Sequence, residues 1–542
     1  MEQVNWVRRW QDGDTMLSTS ALFSGALILV VSALLFQRAR DSGGPKRLWH
    51  PIPGFNTLQF IANNYKFMTR VQNSMRGETL IRLNLGPKPV YLVTGTQGIR
   101  TVFGRELIHS VTNQEQMTRF ALPTLYRMNV AEVQRWEQDK SGVAKVPIPG
   151  IDIPPRQRLW YNYEHIYSEY LSKPQYIKPL VSKFCRHFEQ TLDHCPTDWT
   201  SVSIQEFCRR EVAGVAVSVL FGPDLIKLTP DFIDRFWNFD QHLFTLVLGF
   251  PRWISPKPYE AHDHYVAAVD KWLEHASLDY DWQENAEVDW EPRFGARAVR
   301  EMYRWMKETQ WRQEVIAATL GALAFALTSN SIPTTMWMLM EIIGDPALLQ
   351  SVREEVEAAK MTDPATGNTT LDSQKLVSLP LLQSIWTETL RLRINFNITR
   401  DVKEPISIDG HTIPKGSMLQ APMMVSHYNE TWGTAEHSAS EFWAERHIKY
   451  DSAGNRTYAL AGNKTSFFPF GGGANICPGR QFAKSEILTT VALVVTQLEL
   501  ELQGWIATDG KASDRPAQSD LKYCGAGAMP PDRDMRVRWR RI

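Results

Sequence analysis

The chain has 542 residues, and its 59 basic side chains are balanced by 59 acidic ones. A formal charge of zero excludes a generally basic nucleic-acid binder and an acidic, solvating chain. With 43% apolar and 22% charged residues, and ordinary glycine and proline contents, the composition excludes collagen and long disordered tracts. By length alone about three or four domains are expected.

The first predicted element is the uncharged run 16–36, MLSTSALFSGALILVVSALLF. It is long enough to cross a bilayer as one helix. It is also longer than the apolar core of a signal peptide, and no small-residue cleavage site follows it. The flank before it carries Glu2, Arg8, Arg9, Asp12 and Asp14; the flank after it carries Arg38, Arg40, Asp41, Lys46 and Arg47. The second flank is the more positive. Residues 1–15 are therefore expected in a lumen, 16–36 as a transmembrane anchor, and the rest of the chain in the cytosol. Residues 37–54 read as a basic, proline-containing hinge that closes on His50-Pro51-Ile52-Pro53-Gly54.

Residues 79–95 read as two short strands around Gly86-Pro87, and 106–155 as a long irregular loop. From about 156 to 395 the pattern is mostly helical. An apolar helix is predicted over 315–343 with a polar cluster and Pro333 at its middle, which requires a kink. Asp409-Gly410, between Ile406-Ser407-Ile408 and His411-Thr412-Ile413, predicts a hairpin. A last helix is predicted over 478–498, followed by strand-like pieces. No repeat and no linker interrupts 55–542, so that stretch reads as one large unit, mainly α with small β-sheets.

Five cysteines stand at 185, 195, 208, 477 and 524. An odd, sparse set without Cys-x-x-Cys argues against a disulfide framework and against a cysteine zinc site. Four of them read as free thiols. Cys477 differs, because it follows the glycine-rich loop Phe467-Phe-Pro-Phe-Gly-Gly-Gly-Ala-Asn-Ile and precedes an apolar helix. The N–H groups and dipole at the start of that helix favour a thiolate. Such a thiolate can be a nucleophile, a redox thiol or an iron ligand.

The loop resembles the haem-binding segment of the cytochrome P-450 family, Phe-x-x-Gly-x-(Arg/His)-x-Cys-x-Gly, through Phe470, Gly473, Asn475, Cys477 and Gly479. Asn475 departs from the family's basic residue. Three further segments agree in order. Glu388-Thr-Leu-Arg391 is similar to the family's Glu-x-x-Arg, with both side chains on one helix face. Phe442-Trp-Ala-Glu-Arg446-His resembles its Pro-Glu-Arg-Phe segment, which implies a buried network of Glu388, Arg391 and Arg446. Thr328-Ser-Asn-Ser-Ile-Pro333 resembles the distal helix, with Asn330-Ser331 in place of the usual acid–alcohol pair. Asn-x-Ile-Pro and Ile-Cys-Pro-Gly-Arg are similar to the branch holding cholesterol 7α-hydroxylase and prostacyclin synthase. The Gly-Gly-Gly-Ala-Asn variant resembles fungal secondary-metabolism members. Arg400 is implied as a propionate partner. The family often has Trp-x-x-x-Arg near residue 160, but here Trp160 is followed by Glu164.

The resemblance implies a cytochrome P-450 fold behind one transmembrane helix, with haem b bound through Cys477. It also implies a monooxygenase at the endoplasmic reticulum membrane, facing the cytosol and drawing electrons from NADPH through cytochrome P-450 reductase. Lys464, Arg480 and Lys484 suggest a basic docking face. A hydrophobic, terpenoid- or sterol-like substrate is implied, with the 106–155 and 229–260 regions as pocket walls. Trp237, Phe244 and Phe250 stand in that wall or in the core. The alternative is a haem-thiolate isomerase or dehydratase that needs no reductase, suggested by the absent acid at residue 330.

Overall fold

The computed structural model describes residues 44–52, 54–362 and 369–542, and the expected anchor at 16–36 lies outside them. The chain divides into two units, 1–46 and 47–542. The second is one unit rather than three or four domains.

Strands β1 (Leu80–Leu85) and β2 (Lys88–Val93) pair around Gly86, as the sequence implied. The 106–155 region departs from expectation. It contains a π-helical turn, Met117–Leu125, and an α-helix, Val130–Gln138. The helix begins with a capping box. Asn129 Oδ1 accepts from Glu132 N–H at 3.0 Å, and Asn129 N–H donates to Glu132 Oε2 at 2.8 Å. That four-residue signature was present in the sequence. The helix is fastened inward by the buried Trp136.

Helices α1 (Leu159–Tyr170) and α2 (Pro174–Asp193) follow, then strand β3 (Thr200–Ser203). Helices α3 (Phe232–Val247) and α4 (Pro256–Ser277) pack on each other, and α4 lies along α5 (Gln313–Gly344). Among the described residues α5 is the one helix long and apolar enough to cross a membrane. It is instead threaded through the largest apolar core, where most of its side chains are buried. Pro333 has no N–H, so the Ser329 carbonyl has no helical donor at the expected kink.

Helix α6 (Pro380–Arg393) runs directly into β4 (Ile394–Val402). The hairpin at Asp409-Gly410 forms as predicted, with φ of 50° and 77° at its two central residues. Strand β5 (Met418–Pro422) joins β4 antiparallel and β2 parallel. The last helix, α7 (Arg480–Gln497), is packed against both α2 and α5. It ends in β6 (Leu498–Ala507). Strand β7 (Ala526–Ala528) closes on the start of β4, and β8 (Arg533–Arg541) lies between β6 and β3. The architecture is mainly helical with small sheets. A second apolar core gathers the hairpin, β4, β5 and Phe468, with Phe467 and Phe470 packed against it.

Candidate active site

The Cys477 loop is folded against residues far away in sequence. Cys477 N–H donates to the Phe470 carbonyl at 3.0 Å, and Gly471 N–H to Phe468 at 2.9 Å. Gly473 has a φ of +68°, and a Cβ there would lie 2.2 Å from the Phe103 carbonyl oxygen. Glycine is therefore required at 473 both by conformation and by space. Phe103 is a wall of the loop that no sequence motif marked. Cys477 sits at the turn into α7, with the Gly479 and Arg480 N–H groups directed at its sulfur. Burial pushes the thiol pKa up, while those N–H groups and the Arg480 charge pull against it. A bound cation would overcome the remaining cost of ionisation.

Glu388, Arg391 and Arg446 come together as the resemblance implied. Arg391 grips Glu388 bidentately, Nε and Nη2 each at 2.8 Å, and Arg446 Nε donates to Glu388 Oε1 at 2.7 Å. The Glu388 side chain is 0% exposed. Burial alone would raise its pKa, but hydrogen bonds from Arg391 and Arg446, with the His447 ring close by, take it down to about 2. His447 is a fourth member missed in the sequence, with Nε2 at 3.4 Å from Glu388 Oε2. The network also reaches the cysteine loop. Arg391 Nη1 donates to the His427 carbonyl at 2.8 Å, and the His427 ring accepts from Phe468 N–H at 3.2 Å. Burial holds His427 at a pKa of about 3, so its Nε2 remains an acceptor.

On α5, Asn330 and Ser331 are held in different ways. Asn330 Oδ1 accepts from Ala528 N–H at 2.9 Å, which fixes the amide with its NH2 group as the donor. Ser331 donates to the Leu327 carbonyl at 2.7 Å and lies 3.3 Å from Glu486 Oε1 on α7. Glu486 is buried, and burial raises its pKa to about 8. It stands nine residues after Cys477 and is the one acid of helix α7, so a lone acid among the apolar and basic residues there was the available signal.

The two departures from the family pattern meet each other. Asn475 Nδ2 donates to Glu164 Oε1 across 311 residues. Arg400, buried on β4, acts electrostatically on the same Glu164. Trp160 is a core residue, with its indole N–H on the Trp136 carbonyl at 2.9 Å. The three cations of the expected docking face are placed differently. Arg480 donates to the Cys477 carbonyl at 2.9 Å, and Lys484 donates to Gln383 Oε1 at 2.9 Å. Burial lowers the Lys484 pKa to about 8, and of the three cations Lys464 alone is exposed. In the 229–260 region Trp237 is buried, with its N–H on the Arg209 carbonyl, whereas Phe244 and Phe250 are exposed.

These donors fit a haem. One thiol stands alone at a helix start, and among the described residues no group of three His, Cys, Asp or Glu side chains is placed to hold a metal ion. The iron would take Cys477. Arg400 and Asn475 are the donors at hand for its acidic edge, and Gly473 lets the loop pass close against Phe103.

Comparison with known proteins agrees. The cytochrome P450 family profile matches residues 157–508. Cytochrome P450 monooxygenase calL of Penicillium decumbens is 41% identical over 490 residues, 90% of this chain and 91% of that protein. Cytochrome P450 monooxygenase fsoE of Humicola fuscoatra is 30% identical, covering 64% of this chain and 63% of its own. Cholesterol 7-alpha-monooxygenase of Cricetulus griseus is 27% identical, covering 63% and 66%.

Proposed function

The chain belongs to the cytochrome P450 family and is a monooxygenase of it, and from that premise we propose that it oxidises a hydrophobic, terpenoid- or sterol-like molecule in fungal secondary metabolism. Haem b is bound through Cys477, and electrons come from NADPH through a membrane-bound reductase. The observation that carries the reading is the Cys477 loop, folded on α7 and tied through His427 to the Glu388 network. Anchorage by residues 16–36 places the enzyme at the endoplasmic reticulum membrane.

When bound, the haem supplies the chemistry of dioxygen activation, favoured by its thiolate ligand. The residues of this chain supply the rest. Apolar walls bind the substrate and exclude water. Asn330 presents an NH2 donor, held by Ala528. Ser331 has a single hydroxyl proton, committed to the Leu327 carbonyl at 2.7 Å. Ser331 Oγ lies 3.3 Å from Glu486 Oε1, and the Glu486 carboxyl, kept neutral by burial, stores a proton beside Ser331 of α5. This acid on α7 supports the monooxygenase reading over an isomerase or dehydratase, which the amide at 330 suggests.

The test is turnover of the purified full chain on a panel of sterols and polycyclic terpenes, under labelled dioxygen. One labelled oxygen is expected in the product, and only with both reductase and NADPH. Turnover with neither would sink the monooxygenase reading of the electron supply and favour the isomerase.

Glu486→Gln is expected to lower product formed per NADPH consumed several-fold while leaving substrate binding intact. Stability gives a second measure. Because the folded-state pKa is raised from 4.5 to about 8, the folded protein holds the proton that the unfolded chain releases. Its stability contribution therefore declines as pH rises between those values. Thermal melts of Glu486→Gln should show a weaker decline than wild type over that interval. Equal coupling and equal pH slopes would remove Glu486 from the proposal.

A further inference from the structure

A haem brings two carboxylates into a poorly solvated pocket, and each needs donors. Beside the Cys477 loop the structure gathers Arg400, Asn475 and, with them, a carboxyl group, Glu164. An ionised Glu164 would add a third negative charge against one guanidinium. Carboxylates that share a site cannot all ionise.

The hydrogen bonding shows which oxygen is available. Asn475 Nδ2 donates to Glu164 Oε1, which leaves Oε2 for another partner. A carboxylic acid can accept on one oxygen and donate from the other. We propose that Glu164 is a haem-positioning residue: with haem bound it carries a proton on the oxygen not taken by Asn475 and donates it to a haem carboxylate beside Arg400. The proton comes from solvent as the haem binds, and no electron moves. The inference rests on the haem-thiolate reading of Cys477.

The other groups that face Glu164 do not compete for this role. Arg400, from β4, is cationic and favours the ionised acid, while burial disfavours it more strongly. The Tyr126 and Tyr163 hydroxyls are bonded to each other, and burial pushes both their pKa values up, so they stay neutral. Asp401, next to Arg400, is taken by Lys88 at 3.1 Å and Gln116 at 2.9 Å.

The test is haem transfer from ferric holoenzyme to excess apomyoglobin, followed as pH is raised across the range in which both proteins stay folded. Wild-type release should accelerate by about tenfold as the acid ionises against the haem carboxylate. Glu164→Gln keeps an acceptor for Asn475 and an N–H donor but cannot ionise. Its release should stay near the slow, low-pH rate throughout. A flat wild-type profile, or the same slope in both proteins, would overturn the proposal. Infrared spectra of the holoenzymes give a second measurement. A carboxylic-acid carbonyl band present in wild type should be missing from Glu164→Gln, and identical spectra would also overturn it. The carbon monoxide complex of the reduced protein separates the two levels. Without a thiolate Soret band the reading of Cys477 fails; with the band and no pH slope only Glu164 fails.

Discussion

Replacing Cys477 with alanine is expected to abolish the thiolate Soret band of the reduced carbon monoxide complex and to reduce turnover by roughly 10³-fold or more, about 4 kcal/mol of lost barrier lowering. In the proposed function the sulfur is the iron's protein ligand, and the electron density it would donate favours O–O cleavage. Little else should change. Cys477 is bound to the loop through its main chain, by its N–H to Phe470 and its carbonyl to Arg480, and alanine keeps both bonds. Cys477→Ser tests the element rather than the contact. It retains an acceptor for the Gly479 and Arg480 N–H groups, yet places oxygen where sulfur stood.

The other cysteines serve as internal controls. Cys208 and Cys524 are buried, and burial pushes their thiol pKa values up, that of Cys524 to about 12. Cys185 lies 3.7 Å from the Thr489 hydroxyl, and burial raises its pKa as well. Single alanine variants at Cys185, Cys195, Cys208 and Cys524 should all keep the band. Survival of the band in Cys477→Ala, or its loss in one of the four, would refute the ligand assignment.

The cysteine loop was legible because its chemistry is confined to one short segment. The glycine at 473, the cysteine at 477 and the helix start at 480 are fixed within a few residues. Its partners were not, because contacts close it across the chain. Phe103 walls Gly473 from some 370 residues away, and Glu164 meets Asn475 across 311. Each of those residues looks ordinary in its own sequence neighbourhood. His447 and His427 were hidden for another reason. A buried histidine whose ring accepts a backbone N–H has no spacing signature, and only the assembled network shows its use. The layout of the expected docking face was not legible because sequence counts charges without showing where side chains end, and Lys484 and Arg480 each bond an internal acceptor. The 106–155 region was misjudged on its prolines and polar residues, although Asn129 and Glu132 already spelled a helix start.

Removal of the Glu388 charge should be the most damaging change outside the ligand itself. Breaking one partner of a buried ion pair typically costs about 3–5 kcal/mol, because the other charge remains buried. Here two guanidinium groups would remain. Glu388→Gln preserves shape and part of the hydrogen bonding, but leaves Arg391 and Arg446 without their counter-charge. Expected is a protein recovered with little haem and with a urea midpoint well below wild type.

The pH dependence has a definite sign. The folded-state pKa of Glu388 is held at about 2 against an ordinary 4.5. Its stabilisation is fully present above the ordinary value and is lost as pH falls toward about 2. Glu388→Gln should therefore lose that part of wild-type acid sensitivity while being less stable at neutral pH. In many proteins a buried ion pair can be exchanged for apolar side chains at little cost. This network should resist that exchange. Arg391 donates to the carbonyls of His427 and Ala439, and Arg446 to those of Trp432, Ser438 and Glu441. A triple methionine variant would orphan all of these main-chain acceptors at once, at about 1–3 kcal/mol for each that stays dry. The segment that leads toward the haem loop hangs on those bonds. Urea unfolding of Glu388→Gln beside the triple variant decides the matter: if the apolar core proves the more stable, the guanidinium groups hold no chain in place.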